Sequence, residues 1–382
     1  MNLEERPTIA ISWPQFGAYH ADRLAALGEA LAGHAHILGI EIASQSATYA
    51  WERPALPSTS EVITFYPERN AETVGFCAEL RPLVRLLLSR RIRHLFISGY
   101  ERPANFAIAC LSWLVGARAY VCLDSKFDDK PRRLSLEWLK SLLMLPYRGG
   151  FAAGPKAADY LRFLGFRRRP IALGYDSVSL ARMHALAPDV AVPWADRHFL
   201  SVGRLVPKKN IAFALHAFAL YRAQGGSRRL VLCGSGLLEA ELRSLAEALD
   251  IAGVVEFRGF CDQAEVAQAM ASALCLLLPS VEEQWGLVIN EALAFDLPII
   301  TSPAVGASEV LVRTLVNGYV LDIGEPGGWA EAMAALGEDE CLWRRFCAGS
   351  RRLAPNGDVS AFVRGVVELT DLQLPFSAGQ PA

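Results

Sequence analysis

The sequence has eight cysteines and no Cys-x-x-Cys pair. They stand at positions 77, 110, 122, 233, 261, 275, 341 and 347, mostly inside apolar runs. That pattern excludes a disulfide scaffold or zinc ribbon and reads as reduced, buried thiols in a cytoplasmic protein. An Asp-x-Asp motif is also missing, as is any His or Cys cluster at metal-ligand spacing, so no metal site and no cofactor are expected. Charge of one sign is lacking: Lys plus Arg number 38 and Asp plus Glu 40, and a net charge of -2 gives no overall pull towards nucleic acid. The longest apolar run, Phe106 to Leu123, is broken by Ser112, Gly116 and Arg118, so a helix and a strand are expected there in place of a membrane span. Met1 to Arg6 carry charges of both signs and lead straight into a strand-like run, which is not the pattern of a signal peptide. No internal repeat stands out, and low complexity is confined to Pro375 to Ala382.

What the chain does have is length and alternation. Its 382 residues, 52% of them apolar, exceed the usual single domain of about 100 to 200 residues, so two domains are expected. In the N-terminal half, strand-like runs at Thr8–Ser12, Ile37–Ile42, His94–Ile97 and Ala119–Leu123 alternate with helical ones at His20–Leu31, Arg81–Arg90 and Asn105–Leu114. The alternation restarts at Phe199 and continues through strands at Arg229–Cys233, Val254–Arg258, Leu274–Leu278, Pro298–Thr301 and near Gly318–Leu321. Such alternation implies parallel sheets with right-handed crossovers, an α/β fold of two Rossmann-like domains. The segment Ala185–Arg197, with two prolines and little period, reads as the hinge, which places the domains at 1–190 and 191–360 with residues 361–382 as a further helix and tail. Ligands of open α/β sheets bind beyond the carboxyl ends of the strands, so the loops there carry the functional reading.

Three such loops stand out. Gly203-Arg204-Leu205-Val206-Pro207-Lys208-Lys209-Asn210 precedes a helix and is either an anion site or a solvated basic turn. Cys233-Gly234-Ser235-Gly236 either lets backbone approach a ligand or makes a tight turn; Glu239 occupies the third glycine position of a dinucleotide fingerprint and argues against one. After Leu278, the run from Pro279 to Ala292 sets Glu283 and Glu291 on either side of Gly286, where Gly286 and the N–H groups of Leu287 and Val288 open a helix. Acceptor-only carboxylates suit sugar hydroxyls and the helix start suits a diphosphate, although an acidic first turn is also ordinary capping.

Taken together, GRLVPKKN, LCGSG, EFRGF, LPSVEEQWGLVINEALA, SPAVGASEV and NGYVL resemble the family 4 retaining glycosyltransferases, also called group 1, densely from Phe199 to Leu336 and more thinly before. The resemblance implies a GT-B fold: two Rossmann-like domains facing across a cleft, with a nucleotide sugar held by the C-terminal one and a last helix, Ala361–Leu372, returning to the N-terminal one. It implies Arg204 and Lys209 on the donor diphosphate, Glu291 on the ribose, Glu283 on hydroxyls of the transferred sugar, backbone at Gly286, Leu287 and Val288 completing the contacts, and Arg258 to Cys261 bordering the base. Family members often carry a histidine after a mid-domain strand; here the place reads Asp124-Ser125-Lys126, and Asp124 either approaches the sugar or caps the strand end. In the first loop, Gly17 is expected near phosphate and His20 either near the acceptor or on the surface. The expected reaction is transfer of a sugar from a nucleotide diphosphate to an acceptor hydroxyl of a glycan or lipid-linked substrate, without metal. A nucleotide-sugar epimerase of the same architecture and a non-catalytic nucleotide-sugar-binding subunit are the alternatives. Finally, Lys130–Arg148 places Leu134, Trp138, Leu142 and Leu145 at helical spacing beside Arg132, Arg133 and Lys140: a basic amphipathic helix either on the anionic inner face of a membrane or packed on the core.

Overall fold

The computed structural model describes residues 6–47, 53–187 and 192–372. It divides into two units, Met1–Val178 with Val359–Ala382, and Ser179–Asp358. The boundary expected near residue 190 and the tail from Pro375 lie outside the described residues.

Unit 1 runs β1 (Thr8–Trp13), α1 (Ala18–Ala30), β2 (His36–Gln45), β3 (Glu61–Asn70), α2 (Phe76–Ser89), β4 (Ile92–Ser98), α3 (Pro103–Leu114) and β5 (Arg118–Leu123). It continues with α4 (Leu134–Leu143), β6 (Gly149–Ala152), α5 (Pro155–Phe163) and β7 (Ile171–Leu173). The seven strands pair in the order β3-β2-β1-β4-β5-β6-β7, all parallel. Alternation along β1 explains the two cores: Ile9, Ile11 and Trp13 pack on one face and Ala10 on the other, because successive side chains point to opposite sides of the pleat.

Unit 2 runs α6 (Leu180–Leu186), β8 (His198–Val202), α7 (Ile211–Ala223), β9 (Leu230–Cys233), α8 (Glu239–Ala248), β10 (Val255–Gly259), α9 (Gln263–Ala271) and β11 (Ala273–Leu278). Then follow α10 (Leu287–Ala294), β12 (Ile299–Thr301), α11 (Ser308–Leu311), β13 (Gly318–Val320), α12 (Gly327–Glu338) and α13 (Glu340–Leu353). Its six-stranded parallel sheet has the order β10-β9-β8-β11-β12-β13. β11 is buried at every position, as its unbroken run ALCLLL requires of a strand covered on both faces.

The last described helix, α14 (Val359–Thr370), lies in unit 1. It can do so because of two glycines. A Cβ on Gly365 would stand 2.4 Å from the Phe151 ring, and one on Gly174, whose φ is 102°, would stand 2.7 Å from the Ala361 carbonyl oxygen. Phe362 reaches the Trp13 and Phe151 rings, and Tyr120 donates to the Leu369 carbonyl at 2.8 Å.

One sequence expectation needs correction. Only Cys122, Cys233 and Cys275 are buried; Cys77 and Cys341 are exposed in the first turns of α2 and α13, and all eight thiols are free. An apolar neighbourhood in sequence fixes a helix, but the face the residue takes decides its burial. No helix among the described residues is long and apolar enough to cross a membrane.

Candidate functional site

In unit 2, three loops at the carboxyl ends of the strands are stitched backbone to backbone. Gly203 donates to the Cys233 carbonyl at 2.9 Å, Leu205 to that of Ser235 at 2.9 Å, and Leu238 to that of Leu205 at 3.1 Å. The approach is so close that a Cβ on Gly234, where φ is 143°, would lie 1.9 Å from the Gly203 oxygen, and one on Gly236 would lie 2.3 Å from the Leu205 oxygen. The two glycines therefore admit the neighbouring loop, and they fix where Arg204 stands. From there a 3-10 turn, Pro207–Lys209, and Asn210 with φ 52° lead into α7.

The loop after β11 joins the same platform. Val281 donates to the Lys208 carbonyl at 2.9 Å, Gly306 to that of Glu283 at 3.2 Å and Ala307 to that of Trp285 at 2.9 Å. Glu283 and Val305 form a short parallel bridge. These contacts bring Lys209 and Glu283, 74 residues apart, into an ion pair with side chains only 13% and 12% exposed. Arg204 lies exposed on the neighbouring loop.

Gly286, with φ 100°, caps α10, a left-handed conformation that costs glycine little. The first-turn N–H groups, at Leu287 and Val288, follow it, and such groups have no acceptor within their own helix. Glu291 is buried on the second turn. The start of α10 is held by residues that the sequence reading missed: Trp285 donates through Nε1 to Asn290 Oδ1 at 2.9 Å, and Asn290 Nδ2 donates to the Gly357 carbonyl at 2.9 Å. The signal for Asn290 was a polar residue inside an apolar helix, since a fully buried amide must find partners.

Arg258 borders the same loops, because Gly234 donates to the carbonyl of the next residue, Gly259, at 2.7 Å. It lies on the edge strand β10, pairs with Glu256 at 2.7 Å and lines a cavity of about 430 Å³ with Cys261, Glu265 and Gln268. Among the described residues no group of three or more His, Cys, Asp or Glu side chains is placed to hold a metal ion.

The candidates of unit 1 sit in their own polar network. Gly17 precedes α1 and donates its N–H to His20 Nδ1 at 2.9 Å, so that nitrogen is the unprotonated one. The His20 ring is half-buried against Trp13, at 4.9 Å between centroids, and burial followed by the Arg23 charge holds its pKa well below the usual value. Trp13 Nε1 donates to the Tyr175 hydroxyl, which donates to Ser98 Oγ, each at 2.9 Å. Arg23, almost wholly buried, meets the Asp176 carboxylate at 3.2 Å. Asp124 is exposed at the end of β5, yet enough protein surrounds it that desolvation, then the Asp176 carboxylate, with Glu101 and Asp129 adding less, pushes its carboxyl up to about 7.

Two Rossmann-like units with all-parallel sheets define the GT-B fold, and solved structures bear this out. The chain matches Anabaena Alr3699/HepE, solved in complex with UDP and glucose, over 96% of its own length and 100% of that chain, with a TM-score of 0.70 at 19% identity. It matches sucrose-phosphate synthase from Thermosynechococcus elongatus over 96% and 98%, with a TM-score of 0.72 at 18% identity. Residues 189–353 match the family described as glycosyl transferases group 1. Among curated relatives, a D-inositol 3-phosphate glycosyltransferase of Streptomyces bingchenggensis is 30% identical over 216 residues, covering 51% of this chain and 46% of that protein. The amylovoran biosynthesis glycosyltransferase AmsK of Erwinia amylovora is 33% identical over 143 residues, covering 36% and 34%. The chain thus spans less than half the length of these relatives.

Proposed function

We propose that the protein is a retaining glycosyltransferase that moves a sugar from a nucleoside diphosphate to an acceptor hydroxyl in polysaccharide or glycolipid assembly. The observation that carries the reading is the platform of unit 2: Lys209 and Glu283 paired at the ends of β8 and β11, Arg204 on the adjoining loop and the start of α10 beside them. The names of the relatives and the UDP of HepE support it. In this reading Arg204 and Lys209 take the diphosphate, Glu283 sugar hydroxyls and Glu291 the ribose, with Gly286, Leu287 and Val288 offering backbone to the phosphates. On unit 1, Asp124 is assigned a sugar hydroxyl and Gly17 the vicinity of phosphate.

The bond from the anomeric carbon to phosphate oxygen breaks while the acceptor oxygen bonds to that carbon on the same face. The acceptor proton passes to the departing diphosphate. Charge grows on the leaving oxygens, and preplaced cations stabilise it without reorganising.

Two outcomes test the reading. Glu291→Gln keeps the side-chain shape but loses its charge-assisted hydrogen bonds, each worth about 1.5 to 3 kcal/mol, so the Kd for UDP or GDP measured by calorimetry should rise at least about tenfold with an unchanged fold. An unchanged Kd for every nucleoside diphosphate tried would move Glu291 off the ribose. Because side-chain cations and a helix start meet the phosphate charge, transfer should survive EDTA, unlike that of an enzyme whose divalent ion neutralises the leaving group. Activity lost on chelation and regained with Mg or Mn would contradict this.

A further inference from the structure

Helix α4 is turned inside out. Its inward side carries a polar anchor beside Leu143, which packs on the core: Glu137, 3% exposed, accepts from Lys140 Nζ at 2.7 Å and from the Tyr160 hydroxyl at 2.6 Å. Arg132 lies over the Tyr160 ring at 4.6 Å and donates to the carbonyls of Lys126 and Phe127. Its outer side is apolar, with Leu134 72%, Leu136 51%, Trp138 66% and Leu139 52% exposed, and Leu145 just beyond it 70% exposed. The amphipathic period read from the sequence is present with the opposite sense from core packing: the charges anchor the helix and the leucines face outward. Arg132 and Lys140 are internal tethers, so they are not the residues that meet a partner.

Within the segment Lys130–Arg148, the charges that face outward have one sign. Lys130 and Arg133 are exposed at the N-terminal end of α4, and Arg148 is exposed beyond its C-terminal end. Arg169 donates to the Met144 and Tyr147 carbonyls at 2.5 and 2.8 Å, which brings the exposed Arg167 and Arg168 to that same end. The one carboxylate of α4, Glu137, is buried and paired; beyond the segment, the exposed Asp128 and Asp159 pair with Lys156 at 3.7 Å and Arg162 at 2.6 Å, and Arg148 lines a cavity with Glu368 and Asp371.

We propose that α4 is an interfacial helix that seats unit 1 on an anionic lipid surface. Leu134, Trp138, Leu142 and Leu145 enter the boundary between headgroups and acyl chains, and Lys130, Arg133 and Arg148 meet lipid phosphates. Ten residues of helix span about 15 Å, too short to cross a bilayer but suited to lying in its interface, where Trp is favoured. A second copy fits this face less well: an antiparallel two-fold pairing of α4 would set Lys130 and Arg133 of one chain against Arg148 of the other, positive against positive. The proposal stands apart from the transferase reading, since it uses no residue of the unit 2 platform.

The test is sedimentation of the full chain with phosphatidylcholine vesicles, with and without phosphatidylglycerol. Binding should require phosphatidylglycerol and weaken as salt rises. Changing Lys130, Arg133 and Arg148 together to Gln should lower it about a hundredfold, at about fivefold per basic residue. Changing Leu134, Trp138 and Leu145 together to Ser should abolish sedimentation even at low salt. All six of these positions are exposed, so thermal unfolding and UDP binding should match the parent in both variants. Equal vesicle binding by either variant, or no binding by the parent, overturns the proposal. So does a concentration-dependent doubling of mass that the Ser variant reverses without any change in vesicle binding, which would make this face a contact between copies.

Discussion

Lys209→Ala is expected to lower kcat/KM at least about a hundredfold, and Arg204→Ala comparably, because in the proposed reaction each removes a fixed cation from charge that grows in the transition state. The two variants should differ in a way that follows from the ion pair. Without Lys209, the Glu283 carboxylate, only 12% exposed, is left without that cation beside the proposed diphosphate site. Like charges in a partly desolvated place repel strongly, so UDP or GDP affinity should fall further in Lys209→Ala than in Arg204→Ala. Adding Glu283→Gln to Lys209→Ala should then recover part of that affinity, while adding it to Arg204→Ala should not. Steady-state kinetics with calorimetric binding of the free nucleoside diphosphate, on proteins of matched circular dichroism, reads all four combinations. Near-normal turnover in both single variants would remove the diphosphate assignment.

Gly234→Ala is expected to destabilise unit 2 by about 3 kcal/mol or more, since a non-glycine residue held at unfavourable positive φ costs about 1 to 3 kcal/mol before any clash is counted. Here the clash is added: the new Cβ would stand 1.9 Å from a backbone oxygen of Gly203, which cannot swing aside as a side chain would. Either the loop carrying Arg204 moves or the β9 turn opens, so transfer should fall along with the melting temperature. The neighbouring Ser235→Ala is the control. Ser235 is exposed and contributes its carbonyl to Leu205, which alanine retains, so its change should stay within about 0.5 kcal/mol. Equal melting temperatures for the two variants would show that the loops are not held by this approach.

The amino-acid sequence alone determined the elements with strong local signals. The unbroken run of β11, the restart of the alternation at Phe199 and the glycine between Glu283 and Glu291 each announce themselves within a few residues, because hydrophobic period and turn chemistry act locally. β3 was overlooked, and β6 and β7 were not legible. Glu61–Asn70 is a partly exposed edge strand whose local signal, Val62 to Tyr66, is strand-like but stops at Pro67, whereas Gly149–Ala152 begins with two glycines and Ile171–Leu173 has three residues, so these last two are strands because a neighbour offers them a ladder.

The tertiary structure alone decided the pairing of Lys209 with Glu283, which depends on loops meeting across 74 residues of chain. It also decided what Gly234 and Gly236 are for: sequence shows a residue without a side chain, but only the Gly203 and Leu205 carbonyls lying against them show what fills the space. For α4 the sequence supplied the stripe and its period, and these are the same whichever way a helix is rotated about its axis. The direction was set by Tyr160 from α5 and by the backbone near Lys126, which give Glu137, Lys140 and Arg132 their partners: a buried charge must be paired, whereas an exposed leucine is tolerated.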